Sequence, residues 1–153
     1  MTPTEFVRLL RPHAERVNQR TGIPVEVMLA QAALETGWLA KPTRDMNTGR
    51  DSFNLFNIKG TGPAGSVTCR TTEYVRGQRT AVDARFRAYH SYEESFADYV
   101  RLITTNQRYA PAMAVKSNPV EFARALQRCG YATDPQYANK LISIMRRHMG
   151  VKA

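Results

Sequence analysis

Two cysteines, Cys69 and Cys129, are all that 153 residues contain. One possible pair is not a disulfide framework, so the sequence predicts buried free thiols and a fold held by its core. Histidine is as scarce. His13, His90 and His148 show no zinc-ligand spacing, and neither a metal nor a cofactor is expected. The chain also lacks a Gly-x-Ser-x-Gly elbow, a Cys/His nucleophile arrangement and a phosphate-cradling glycine loop. No apolar run approaches the roughly 20 residues of a membrane span. Met1-Thr2-Pro3-Thr4-Glu5 holds no basic segment followed by an apolar one, so synthesis and folding in the cytoplasm are expected. Action outside would then need a separate route of release. Repeats and low-complexity tracts are absent.

Hydrophobic residues make up 42% of the chain, enough for a core and too many for disorder. The length predicts one domain, residues 1–153, and a monomer. The net charge of +9 calls for an anionic partner: nucleic acid, an acidic lipid surface or an acidic polymer. Basic residues are spread from Arg8 to Lys152 without an Arg/Lys-rich arm or a nucleic-acid motif, so nucleic acid is not expected.

The chain is organised around Gln31-Ala32-Ala33-Leu34-Glu35-Thr36-Gly37-Trp38. Ile23, Val25, Met28, Leu29, Ala32 and Ala33 recur at helical spacing, predicting a largely buried helix over 24–35, with Pro24 at its first position and Gly37 as its stop. Glu35 falls in the last turn. There a carboxylate opposes the helix dipole and is partly desolvated, and both effects raise its pKa toward that of a general acid. A surface Glu paired with an Arg fits this stretch equally well.

Before that helix, Thr2-Pro3-Thr4-Glu5 forms a capping box for a first helix with Phe6, Leu9, Leu10 and Val17 inward and His13 as a packing residue. After it, residues 39–65 carry loop chemistry, yet enclose the apolar Asn54-Leu55-Phe56-Asn57-Ile58-Lys59-Gly60. A loop of this length in a small domain is usually functional. Residues 66–76 and 80–89 alternate as a β-hairpin about Arg76-Gly77-Gln78-Arg79. Glu73 shares a face with Val67 and Val75, either for a purpose or as an edge charge that discourages aggregation. Three helices follow, opened by Ser91-Tyr92-Glu93-Glu94, Asn118-Pro119 and Asp134-Pro135. The last carries Lys140, Arg146, Arg147 and His148.

The plan is α+β, mainly α, with one hairpin. A hairpin facing a helix across a groove suits an extended polymer, and two carboxylates flanking such a groove suit glycosidic bond hydrolysis.

Six segments in order carry a family resemblance: Ala32-Ala33-Leu34-Glu35-Thr36-Gly37-Trp38, Asn54-Leu55-Phe56-Asn57-Ile58-Lys59, Thr72-Glu73-Tyr74, Phe86-Arg87-Ala88-Tyr89, Ser91-Tyr92-Glu93-Glu94-Ser95 and Gly130-Tyr131-Ala132-Thr133-Asp134-Pro135-Gln136-Tyr137-Ala138. Together they resemble the peptidoglycan-cleaving glucosaminidases of glycoside hydrolase family 73. The resemblance implies a lysozyme-like fold with a helical lobe, a small β-lobe at about 66–89 and a cleft between them. It implies Glu35 as general acid, Glu73 as second acid and Tyr131 as an active-site tyrosine. Trp38, Asn54, Phe56, Tyr89 and Tyr137 are the expected substrate-binding residues, although Trp38, Phe56, Tyr89 and Tyr137 suit the core as well. Asn57 stands where many members carry glycine, and it tolerates left-handed backbone.

The expected substrate is the glycan strand of peptidoglycan, cut at the β-1,4 bond from N-acetylglucosamine to N-acetylmuramic acid. Anionic envelope polymers are further expected partners of the basic surface. A phage or prophage endolysin, released by a holin or by other machinery, is the expected context. Muramidase or lytic transglycosylase action, or a non-catalytic wall-binding module, are the alternatives.

Overall fold

The computed structural model describes residues 1–152. Its element order is α1 (Pro3–Thr21), α2 (Val25–Thr36), β1 (Ser66–Val75), β2 (Gln78–Arg87), α3 (Tyr92–Thr105), a 3-10 turn (Gln107–Tyr109), α4 (Ala110–Met113), α5 (Pro119–Arg128) and α6 (Tyr137–His148).

Helix α2 is the axis of the helical lobe. Val25, Val27, Met28, Leu29, Ala30, Gln31, Ala32 and Ala33 are all buried, so it has apolar surface on every side, as a central helix requires. It packs on α1, α5 and α6, while α1 also packs on α3. Each large side chain fully buried here, such as Met28 or Leu29, contributes about 1.5–3 kcal/mol. Alanine at 30, 32 and 33 lets its neighbours approach closely. Pro24 sits at the N-cap, one position earlier than expected, because its extended ψ of 129° precedes the first helical residue.

The Thr2–Glu5 capping box forms as expected: Glu5 N–H donates to Thr2 Oγ1 at 3.2 Å and Thr2 N–H to Glu5 Oε2 at 3.0 Å. Phe6, Leu10, Ala14 and Val17 face the core, whereas Leu9 is 40% exposed, because spacings of three and four from Leu10 select the stripe and place Leu9 on its flank. His13 stacks on Phe96 at 6.5 Å.

Phe96, Tyr99, Val100 and Ile103 of α3 are buried as expected. Its capping box is only half made: Ser91 Oγ accepts from Glu94 N–H, but Glu94 Oε1 accepts from His90 N–H. Asp134 does not cap α6, whose N-cap is Gln136. Asp134 Oδ1 instead accepts from Gln136 N–H at 2.8 Å in a turn that precedes the helix. Between α3 and α5 the chain adds the 3-10 turn and the four-residue α4, both too short to show hydrophobic periodicity.

Strands β1 and β2 pair antiparallel, with Val67 opposite Phe86, Cys69 opposite Ala84, Thr71 opposite Val82 and Glu73 opposite Thr80. The expected face therefore exists and includes Glu73. The turn is tighter than expected. Arg76 (φ 53°) and Gly77 (φ 79°) both lie in the left-handed region, the two-residue connection that matches strand twist. Val75 is 45% exposed, because the apolar cluster of the hairpin, Val67, Phe86 and Ala88, lies at its base. Both cysteines are free and half-buried.

Candidate active site

Gly37, Trp38 and Leu39 follow α2 with φ of 56°, 58° and 64°. Left-handed backbone costs about 1–2 kcal/mol at a residue with a Cβ, so Trp38 and Leu39 are strained there. The turn is held by Trp38 N–H on Ala33 O, Lys41 N–H on Thr36 O and Leu39 N–H on Thr36 Oγ1. It reverses the chain and lays the 40–65 loop back over the C-terminal end of α2, where Glu35 sits.

Glu35 is half-buried. Burial pushes its carboxyl above the ordinary range, and a hydrogen bond from Asn57 opposes part of that rise. Asn57 Nδ2 donates to Glu35 Oε2 at 3.0 Å and to the Glu35 carbonyl oxygen at 3.2 Å. The Glu35 cavity, about 270 Å³, is lined by Phe56, Asn57, Ile58, Leu102, Tyr109, Tyr131 and Ala132. Among the described residues no cation pairs with Glu35. The surface ion-pair reading is thereby replaced by a desolvated acid in a concave site.

A tyrosine cluster forms the floor. Tyr131 stacks on Tyr137 at 5.6 Å and meets Tyr99 at 6.3 Å and Tyr109 at 6.0 Å. Gln31, one turn before Glu35 and fully buried, organises two of these rings: its Nε2 donates to Tyr137 Oη at 2.9 Å, and its Oε1 accepts from Tyr99 Oη. Burial pushes the pKa values of Tyr131 and Tyr137 well above that of an ordinary phenol, so both stay protonated beside Glu35. Among the described residues every buried side-chain polar atom has a partner. The unpaired hydroxyls of Tyr109 and Tyr131 therefore open into the cavity.

A second, larger groove of about 380 Å³ runs under the hairpin, lined by Pro42, Thr43, Arg44, Met46, Cys69, Thr71, Phe86 and again Asn57. Cys69 and Thr71 belong to the strand face that also carries Glu73, so Glu73 extends this wall outward. Glu73 itself is bound by Lys59 Nζ at 2.7 Å and does not line the cavity around Glu35.

The base of the hairpin is clamped by the loop. Asp45 accepts from the N–H groups of Thr68, Thr48 and Asn47, which pull its carboxyl down to about 2. Arg50 donates to the carbonyls of Ala64 and Ser66. Beyond Cys69 and Arg85 the sole hydrogen bond among the described residues from hairpin to the rest is Lys59 to Glu73.

The other expected substrate residues divide. Phe56 lines the Glu35 cavity, stacked on Tyr99 at 4.2 Å, and is itself buried. Tyr137 is buried beneath Tyr131, the core placement foreseen for it. Trp38 is not brought to the cavity; it packs edge-on to Phe6 and His148. Tyr89 is buried with its hydroxyl donating to Asp98 at 2.5 Å. Asn54 is also buried. Its Nδ2 donates to the carbonyls of Ile58 and Arg87, and its Oδ1 accepts from Ile58 N–H and Phe56 N–H, so it staples loop to hairpin. Sequence reasoning assigned Asn57 nothing beyond its tolerance of left-handed backbone, and passed over Thr43 and Tyr109. The signal at Asn57 was a side chain standing where glycine was expected; Tyr109 carried none.

The chain matches the family model described as mannosyl-glycoprotein endo-beta-N-acetylglucosaminidase over residues 11–150. It is 44% identical over 146 residues to peptidoglycan hydrolase FlgJ of Pseudomonas aeruginosa, covering 94% of this chain and 36% of that protein. It is 32% identical over 148 residues to exo-glucosaminidase LytG of Bacillus subtilis, covering 94% and 50%. The chain thus spans half or less of the length of these relatives. Among solved structures, the C-terminally truncated glycoside hydrolase domain of Salmonella typhimurium FlgJ superposes with a TM-score of 0.80 at 39% identity, over 99% of this chain and 100% of that one. A peptidoglycan hydrolase mutant from Sphingomonas sp. A1 gives 0.80 at 44% identity, over 95% and 97%. A desolvated acid at the end of a buried helix, a groove beneath a projecting hairpin and these matches have one reading: the chain belongs to the glucosaminidase family of glycoside hydrolases, with a lysozyme-like fold.

Proposed function

We propose that the chain hydrolyses the glycan strands of peptidoglycan as an endo-β-N-acetylglucosaminidase, cutting the β-1,4 bond between N-acetylglucosamine and N-acetylmuramic acid. The observation that carries this is Glu35: a carboxyl group kept above its ordinary pKa by burial, facing a cavity that meets the groove at Asn57. In this reading Glu35 gives its proton to the glycosidic oxygen as the C–O bond breaks. A water oxygen adds to the anomeric carbon and its proton leaves to a base. Glu73 is the second acid, acting on that water or orienting the sugar while its 2-acetamido group assists. The Tyr131 hydroxyl, open to the cavity, meets the sugar beside the scissile bond. The net charge of +9 suits the carboxylates of peptide stems and the anionic polymers of the envelope. Release from a lysing cell, as an endolysin, is the setting we assign to it.

Digestion of purified peptidoglycan followed by mass spectrometry of the muropeptides tests the linkage. Reducing-end N-acetylglucosamine is expected. Reducing-end N-acetylmuramic acid would make the chain a muramidase, and an anhydro product a lytic transglycosylase. Zymography of Glu35→Gln beside the wild type tests catalysis itself: equal clearing overturns the catalytic role of Glu35, and no clearing by the wild type leaves a wall-binding module.

A further inference from the structure

Asn57 is the residue at which the two cavities meet, since it lines both. Its backbone is left-handed at φ 52°, a conformation that glycine adopts freely and Asn tolerates. What Asn adds there is a side chain, and each of its polar atoms is used. Oδ1 accepts from Thr43 Oγ1, and Nδ2 donates to both the carboxyl and the carbonyl of Glu35. The Thr43 hydroxyl and the Glu35 carbonyl oxygen settle the amide's orientation, because that carbonyl oxygen is solely an acceptor and requires the NH₂ end.

We propose that Asn57 is the positioning residue of Glu35, holding Oε2 as an acceptor so that the transferable proton resides on Oε1, the oxygen that faces the cavity. The argument is one of occupancy. An oxygen that receives the Asn57 N–H cannot also direct its own O–H along the same line. The carbonyl-type oxygen is the better acceptor, so this bond favours the form of neutral Glu35 that carries its proton on the other oxygen. Oε1 has no protein partner, and every buried polar atom among the described residues has one, so Oε1 is open to the cavity and to a leaving group there. Once the proton has gone, the Asn57 bond becomes charge-assisted and strengthens as the carboxylate forms. The interaction thus favours the product of proton transfer over the reactant. It rests on the reading of Glu35 as general acid.

The groups that face Glu35 leave this bond a clear readout. Tyr131, after α5, and Tyr137, on α6, are held protonated by burial; Tyr109 comes from the 3-10 turn and Leu102 from α3. On the hairpin, Glu73 is paired with Lys59. Burial raises the Glu35 pKa and Asn57 alone opposes it.

Asn57→Gly removes the amide at a position whose backbone suits glycine. The ¹³C-carboxyl titration of Glu35 is followed by NMR in wild type and variant, together with kcat and KM against pH on peptidoglycan fragments. The titration midpoint of Asn57→Gly is expected to move up, the alkaline limb of its profile to move up with it, and kcat to fall about tenfold with KM within about twofold. Thr43→Val, which frees the amide to turn, is expected to move the midpoint the same way, and Thr43→Ser to restore it. A midpoint unmoved or lowered in Asn57→Gly, with Glu35→Gln inactive, overturns the role of Asn57 alone. Glu35→Gln that clears peptidoglycan like the wild type overturns the general-acid reading beneath it.

Discussion

Lys59 Nζ lies 2.7 Å from Glu73 Oε1, and among the described residues it is the one hydrogen bond between the outer hairpin and the loop beneath it. Both side chains are more than a third exposed, 60% and 41%, so solvent screening limits the pair to about 0–1 kcal/mol. Its weight is in placement. Lys59→Ala is expected to leave the midpoint of chemical denaturation unchanged while lowering kcat/KM about tenfold at low salt. A Glu73 that works on water should lose about 10²–10⁴ in kcat as Glu73→Gln, with KM held. A Glu73 that only orients the sugar should show its loss in KM.

Glu35 should weaken the fold at neutral pH. Its folded pKa is above the unfolded value of 4.5, so the destabilisation is absent below that pH, grows as pH rises toward the folded value and is complete above it. Glu35→Gln is therefore expected to be more stable than wild type in urea melts at pH 8 and equal to it at pH 4, while activity falls about 10²–10⁴-fold. A variant less stable at both pH values would sink the desolvation account.

Asp98 should show the opposite sign. Burial opposes its ionisation, but hydrogen bonds from Arg101, Tyr89 and Arg87 outweigh that and hold its carboxyl below the ordinary range. Its contribution is present above the unfolded value of 3.8 and is lost as pH falls through the folded one. Asp98→Ala leaves Arg87 and Tyr89 without their partner at the point where the hairpin returns to α3, and is expected to cost about 3 kcal/mol at pH 7. Calorimetry at pH 7 and pH 3 checks both sign and size: the gap to wild type should shrink at the lower pH.

Gly62 bears no side chain because none fits. A Cβ there would come within 2.5 Å of Ala88 O and 3.3 Å of Ala88 N, both backbone atoms at the hairpin's exit. Gly62→Ala is expected to cost about 1–3 kcal/mol and to release the bonds between Ala64, Gly65 and Ala88, seen as faster amide exchange at Ala64 and Ala88. Arg76→Asn, an Asn-Gly turn in the left-handed geometry already present, should slow exchange in the outer hairpin.

The helices were legible because their signals are local. Thr2 to Glu5 is a capping box within four residues, and the stripe from Phe96 to Ile103 repeats at helical period. The faces of the hairpin followed from alternation, which put Glu73 with Val67, but its register did not, because the turn closes at Arg76-Gly77 with Val75 opposite Gln78. The site was legible only in part. Glu35 drew notice because a carboxylate in an apolar last turn is anomalous by itself. Its partners lie on other segments: Asn57 comes from a loop folded back by a left-handed turn, Tyr109 from a 3-10 turn with no period, and Tyr131 from the bend after α5. Trp38 suits a sugar-stacking face and the core equally by residue type, and three consecutive positive φ angles at Gly37, Trp38 and Leu39 carry its ring to the Phe6 and His148 side.

The clamp at the hairpin's base makes the outer hairpin a lever. From Cys69, the last residue of β1 anchored to the loop by its own atoms before the Lys59 tie, Glu73 lies about 13 Å along the strand at the rise of extended chain. A rotation of about 10° at that fulcrum would carry its carboxylate about 2 Å, comparable to the gap between separations of about 5–5.5 Å in retaining glycosidases and about 6.5–9.5 Å in inverting ones. For Glu73 as the proposed second acid, its distance from Glu35 therefore depends on that angle, and the Lys59 ion pair is the contact that holds it.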